Sequence, residues 1–217
     1  LPYEQNANPY IIGDEKLVDF KYFFTRKLFF LRESDAVVLF PGGFGTHDEA
    51  LETLTLCQTG RYGPIPLVLV DRPGGTYWQD WDAYFRKHLV SNGLIGAEDT
   101  SLYTITNNII NAFDCLQNFY RIYHSSRYVK DLLVIRLRMA ICQPDLDRLN
   151  REYPDLCLDG KIEMSVALTA EAGDPTQDLP RLVLKFDRHQ YARLYQFIRE
   201  LNELDTTGCQ LPQPAEK

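Results

Sequence analysis

The sequence lacks most of the marks by which the common protein classes announce themselves. Its five cysteines, Cys57, Cys115, Cys142, Cys157 and Cys209, form no Cys-x-x-Cys pair and are odd in number. A disulfide framework is therefore not expected; reduced thiols in a cytoplasmic setting are. The four histidines have no metal-ligand spacing. His47-Asp48-Glu49 has no second histidine one turn on, so no metal is expected. No apolar run approaches the roughly 20 residues that span a bilayer, so no membrane partner is expected. Positive charge is in deficit, 23 Lys and Arg against 30 Asp and Glu. The net charge of −7 repels a nucleic-acid polymer on average. A small phosphate ligand is still admitted, because backbone amides bind it whatever the net charge. There is no P-loop ending in Gly-Lys-Ser/Thr, no G-x-G-x-x-G, no internal repeat and no low-complexity tract. The chain opens on Leu1-Pro2-Tyr3-Glu4, as if in mid-domain, and a preceding segment is expected.

What is present is an alternation of strands and helices. Of the 217 residues 45% are hydrophobic, enough for a substantial core. Residues 1–13 carry loop breakers. Leu17, Phe20, Phe24, Leu28 and Leu31 recur at helical spacing and predict a helix over 14–33. Aromatic residues on its other side predict burial between layers. Ala36-Val37-Val38-Leu39-Phe40 is an unbroken apolar run, the mark of a strand covered on both faces. A helix follows over 46–59, a second buried strand over 65–70, a helix over 77–91, a short strand over 102–105 and a helix over 107–123. This order predicts a doubly wound, Rossmann-like parallel sheet over 1–124, incomplete at its N-terminal side. The pattern then changes. A strand over 128–137, a helix over 145–153, a hairpin of 162–168 with 182–186, and a helix over 188–204 predict a small α+β appendage over 125–205. Residues 206–217 are expected to form a loose tail.

Pro41-Gly42-Gly43-Phe44-Gly45-Thr46 lies between a buried strand and a helix start. Free amides and the positive helix end favour a phosphate there, and the Thr46 hydroxyl can donate to it. The same residues also fit plain structure, with Thr46 as N-cap and Glu49 closing a capping box. Arg26 falls opposite the Leu17/Phe20/Phe24/Leu28 stripe, among Tyr22, Phe29 and Phe30. A buried arginine there needs a polar partner or a cation–π stack, and an internal ion pair serves as well as a ligand. Asp71-Arg72-Pro73-Gly74-Gly75 reads as a strand-end turn, Trp78 and Trp81 as helix packing, and Arg136 with Arg138 as a solvated face.

Together Arg26-Lys27, Ser34-Asp35-Ala36 and Pro41-Gly42-Gly43-Phe44-Gly45-Thr46-His47-Asp48-Glu49 resemble the signature of the LONELY GUY family. These are cytokinin riboside 5′-monophosphate phosphoribohydrolases, often mislabelled lysine decarboxylases. Related nucleotide 5′-monophosphate nucleosidases share the signature. The resemblance covers about residues 1–120. His47 stands where the family more often has an apolar residue, and the family's first strands with a second glycine-rich turn are not in this chain.

The resemblance implies hydrolysis of a nucleoside 5′-monophosphate to free base and ribose 5-phosphate, without a cofactor. It implies Arg26 and Glu49 as catalytic residues. Gly42, Gly43, Phe44, Gly45, Thr46 and Lys27 would hold the phosphate or nucleotide, with Glu4 and Asn8 in a pocket loop. It also implies a homodimer or larger homo-oligomer. A non-catalytic carrier of a nucleotide or of molybdenum cofactor is the competing resemblance, since such carriers have a similar glycine loop.

Overall fold

A computed structural model describes residues 9–209. The chain divides into two compact units, residues 1–34 and 35–217.

Within the first unit the described residues begin with turns and end in helix α1, Phe23–Arg32. The predicted start near Asp14 is too early. There the Asp14 carboxylate accepts the Lys16 amide at 2.8 Å, and the Leu17 amide bonds the Asp14 carbonyl at 3.0 Å. Such a local turn competes with a helix for the same amides. The predicted burial is also wrong. A helix that is apolar all round needs cover all round, and only Leu31 of α1 is buried; Phe23, Phe24, Leu28, Phe29 and Phe30 are exposed.

The second unit holds two sheets. The first is parallel, in the order β1 (Val37–Leu39), β2 (Leu67–Val70), β3 (Thr104–Thr106). Val37 pairs with Leu67, and Val68 with Thr104. Central strand β2 is buried at all four positions, which is why its sequence is unbroken Leu-Val-Leu-Val. Helix α2 (Phe44–Gln58) connects β1 to β2. Helix α3 (Tyr77–Phe85), extended by a π turn over Arg86–Val90, connects β2 to β3. Helix α4 (Ile109–Phe119) follows β3. Its cap is Asn108, whose side chain accepts the Ile110 amide at 2.8 Å. Val68, Val70 and Ala112 form a buried cluster where α4 packs on the sheet. This is the Rossmann-like architecture that the alternation predicts.

The second sheet is antiparallel, in the order β4-β5-β7-β6. Its strands are β4 (Tyr123–Val129), β5 (Leu132–Leu137), β6 (Cys157–Ser165) and β7 (Arg181–Phe186), accompanied by α5 (Gln143–Glu152) and α6 (Tyr191–Glu203). The single strand expected over 128–137 is instead the hairpin β4–β5. Its turn at Lys130 and Asp131 places Lys130 at φ 56° and carries no Asn-Gly or Asp-Gly signal.

Helix α6 belongs to both sheets' cores. It packs on α2, α4 and β4. Buried Asn202 of α6 accepts the Ile122 and Tyr123 amides and donates to the Phe119 and Ile198 carbonyls, at 2.6–2.9 Å. Tyr195 accepts the Ile65 amide at 3.1 Å.

Two further expectations fail in this half. Arg136 is buried rather than solvated; its Nη2 donates to Glu171 at 2.8 Å and to Asp174 at 2.7 Å. The loop between β6 and β7 folds back over the sheet in a short turn, Thr169–Glu171, and brings these acids to it. Cys142 and Cys209 form a disulfide, against the expectation of reduced thiols throughout. Their separation of 67 residues gives no local signal; the fold brings their Cα atoms to 4.9 Å. Cys57, Cys115 and Cys157 are free.

Candidate active site

The glycine loop leaves β1 and enters α2 at the carboxyl edge of the parallel sheet. In open α/β folds ligands sit beyond that edge. The N-cap of α2 is Gly43, in extended conformation and with no side-chain cap bond. The predicted capping by Thr46 is therefore wrong. A helix needs a half-extended residue before its first turn, and glycine fills that place three residues earlier than a threonine cap would. The Gly43 carbonyl takes the amides of Thr46 at 3.0 Å and His47 at 3.3 Å. The amides of Phe44 and Gly45 meet no acceptor among the described residues. They are the two donors that the helix start offers outward, while the Phe44 side chain projects from it, 96% exposed.

Thr46 has a different task. A Cβ on Gly42 would come within 2.1 Å of Thr46 Oγ1, so this hydroxyl sits against the Gly42 backbone and requires glycine there. Glu49 follows three residues after Thr46 and four after Gly45, which puts it on the same helix face. It is half-buried, with Oε2 out of contact with solvent, and its carbonyl accepts the Thr53 hydroxyl at 2.7 Å.

The loop is braced from α3. The Tyr77 hydroxyl donates to the Gly42 carbonyl at 2.6 Å and lies 2.7 Å from His47 Nε2. With the phenol proton given to the carbonyl, His47 Nε2–H donates to the phenol oxygen. The His47 ring lies among Tyr77, Trp78 and Trp81, centroids 5.8, 6.1 and 6.5 Å away. Trp78 is fully buried, in keeping with the packing role expected for it. Burial pushes the Cys57 thiol of α2 up to about 11 against a weaker opposing bond from Tyr195, so it stays protonated at neutral pH.

Beside the loop is an open cleft of about 1130 Å³. The ends of all three parallel strands line it: Phe40 and Pro41 after β1, Val70 at the end of β2 with Asp71 to Gly75 after it, Asn107 to Ile109 after β3. Thr76, Tyr77 and Asp80 complete it from the start of α3. Tyr77 thus touches both the glycine loop and the cleft. The turn Asp71 to Gly75, expected as structure alone, is part of its lining. Asp71 Oδ1 accepts the Arg72 amide at 2.8 Å, and a Cβ on Gly75 would lie 2.2 Å from that oxygen. The Asp71 amide bonds the Thr106 carbonyl at 2.8 Å, which ties the turn to β3. Sequence reasoning missed Asp71, Tyr77, Asn107 and Asn108. The available signal was an aspartate directly after an all-apolar strand.

The remaining predicted site residues divide as follows. Gly42, Gly43, Phe44, Gly45, Thr46 and Glu49 are brought together at the start of α2. Arg26 and Lys27 lie on α1, in the first unit. Arg26 is exposed rather than buried, its Cζ 6.0 Å from the Phe23 ring centroid, which matches the cation–π alternative. Lys27 is half-buried. Glu4 and Asn8 lie outside the described residues. No group of three His, Cys, Asp or Glu among the described residues could hold a metal ion, and none of their helices is long and apolar enough to cross a membrane.

The sequence profile of the family described as possible lysine decarboxylase matches residues 4–116, just over half of the chain. The chain belongs to that family. It is the family name under which LONELY GUY proteins are also carried, so it agrees with the resemblance of the loop and its flanks. The matched segment runs through the parallel sheet and ends within α4; β4 and everything after it lie outside the family region. No curated protein matches the chain.

Proposed function

We propose that this protein hydrolyses the N-glycosidic bond of a nucleoside 5′-monophosphate, giving the free base and ribose 5-phosphate. The observation that carries the reading is the start of α2. Two amides without an acceptor among the described residues and the Glu49 side chain share the first turns of α2, next to a cleft built from three strand ends. The amides of Phe44 and Gly45, with the Thr46 hydroxyl, suit a phosphate monoester. The adjoining cleft has room for a ribose and a base.

Breaking the bond between C1′ and the base nitrogen builds positive charge on the sugar. A carboxylate stabilises that charge or orients the attacking water, as carboxylates do in glycoside hydrolysis. Glu49 takes this role. Water adds to C1′, and its proton goes finally to the departing base. Binding energy from the remote phosphate holds the sugar in position for attack. Arg26 enters the reading through the resemblance alone, as the second catalytic residue, and so does Lys27 as a phosphate ligand. Decarboxylation of an amino acid is not proposed, because no lysine stands in a Schiff-base motif. The resemblance also supports a homodimer or larger assembly, which light scattering of the purified protein measures.

The test is incubation of the pure protein with AMP, GMP, CMP and UMP and chromatography for free base. At least one should yield base and ribose 5-phosphate in equal amounts. Four intact nucleotides would count against the proposal.

A further inference from the structure

Asp71 is 93% removed from solvent, with 7% of its surface exposed. Only one of its oxygens is used. Oδ1 holds the Arg72 amide, whereas Oδ2 is buried and has no hydrogen-bond partner among the described residues. A buried carboxylate oxygen without a donor is costly, and native folds rarely keep one without a purpose. Asp71 also lines the cleft, at the point where the three strand ends meet.

Other polar groups of the cleft are engaged with partners of their own. Asp80 receives the Thr76 hydroxyl at 2.8 Å. Asn108 spends its oxygen on the Ile110 amide. The remaining charge on the cleft wall is Arg72. Two acids against one base make this end unsuited to a phosphate. Phe40 and Ile109, both exposed along the wall, offer apolar surface to a flat ring or a sugar face.

We propose that Asp71 is a specificity-determining residue: its Oδ2 accepts a hydrogen bond from a neutral donor on the nucleoside half of the ligand. Two groups supply that chemistry, an exocyclic amine of the base and a hydroxyl of the ribose. The proposal rests on the nucleotide reading above, but it concerns binding, and its readout is affinity rather than base release.

The experiment is titration calorimetry with matched ligands. AMP against IMP exchanges the amine for an oxo group, and AMP against 2′-deoxy-AMP and 3′-deoxy-AMP removes one hydroxyl at a time. The wild-type protein should bind AMP about ten- to a hundredfold more tightly than one of these partners, the loss expected when a buried acceptor is left unmet. The pair that shows the loss identifies the donor. Asp71→Asn keeps an oxygen for the Arg72 amide and turns an N–H₂ group to the cleft. It should erase the preference, or reverse it for IMP, with an unchanged melting temperature. Wild-type affinities equal across all the pairs would overturn the proposal, whatever the fold of the variant. So would discrimination that survives in Asp71→Asn. Discrimination without base release would leave Asp71's role standing and remove the hydrolytic reading; no binding of any nucleotide would remove both.

Discussion

The parallel and antiparallel halves of the second unit each keep one acidic side chain almost wholly out of water, and they treat it in opposite ways. In the antiparallel half Glu171 is 1% exposed and every oxygen is engaged. Arg136 donates to Oε1, Arg181 to Oε2 at 2.8 Å, and the Leu168 amide to Oε2 at 3.2 Å. In the parallel half Asp71 lines a cleft and spends one oxygen on its own turn, while the other is buried with no partner among the described residues. A complete network specifies how a loop closes over a sheet. An incomplete one is where, on the proposal above, a ligand finishes the set. The family region covers the half with the incomplete site, and the complete network lies beyond it.

The largest effect that can break this contrast is on stability. Glu171→Ala leaves Arg136 and Arg181 buried without their shared acid and should cost about 3–5 kcal/mol. Asp71→Ala removes one turn bond and should cost about 1 kcal/mol or less. Urea unfolding of both variants checks the pair; equal losses would mean that both acids are architectural.

Next comes the covalent tie. The Cys142–Cys209 disulfide spans 67 residues of the antiparallel half. Reduction, or Cys142→Ser, should lower stability by about 2–4 kcal/mol. A melting temperature indifferent to reductant would show that the chain after α6 adds nothing to that half.

The smallest effect is acid sensitivity, and its sign follows from the same network. Burial alone would raise the Glu171 carboxyl, but bonds from Arg181 and Arg136 outweigh it and hold it below its ordinary 4.5. The Thr176 hydroxyl and amide, aided by Arg136 and Arg127, hold Asp174 down from 3.8 to about 2. Groups whose folded values are depressed stabilise fully above their ordinary values. That contribution fades as pH falls through the folded ones. The antiparallel half should therefore weaken from about pH 4.5 downward, and most steeply toward pH 2. Glu171→Gln should flatten this dependence when unfolding is followed against pH; an unchanged slope would contradict the assignment.

Legibility in the sequence follows the same division. Strands β1 and β2 could be read because strands within a parallel sheet are written as unbroken apolar runs, and the glycine loop because a strand-to-helix turn needs small residues. The family followed from the spacing of Arg26-Lys27 to that loop. What could not be read depends on distant partners. Arg136 looks solvated until the loop carrying Glu171 folds over it. Cys142 finds Cys209 only once α6 has packed. Asp71 looks like a turn residue until the ends of β1 and β3 arrive beside it. The start of α1 failed for a local reason, the Asp14 side chain closing a turn of its own. The cap of α2 failed because glycine competed with threonine for the same task.

The most direct test of the hydrolytic reading compares wild type with Glu49→Gln on the nucleotide that wild type turns over fastest. The two proteins should bind it within about threefold of each other, since the α2 amides are unchanged, while base release falls by at least about a hundredfold. Undiminished release by the folded variant would contradict the account.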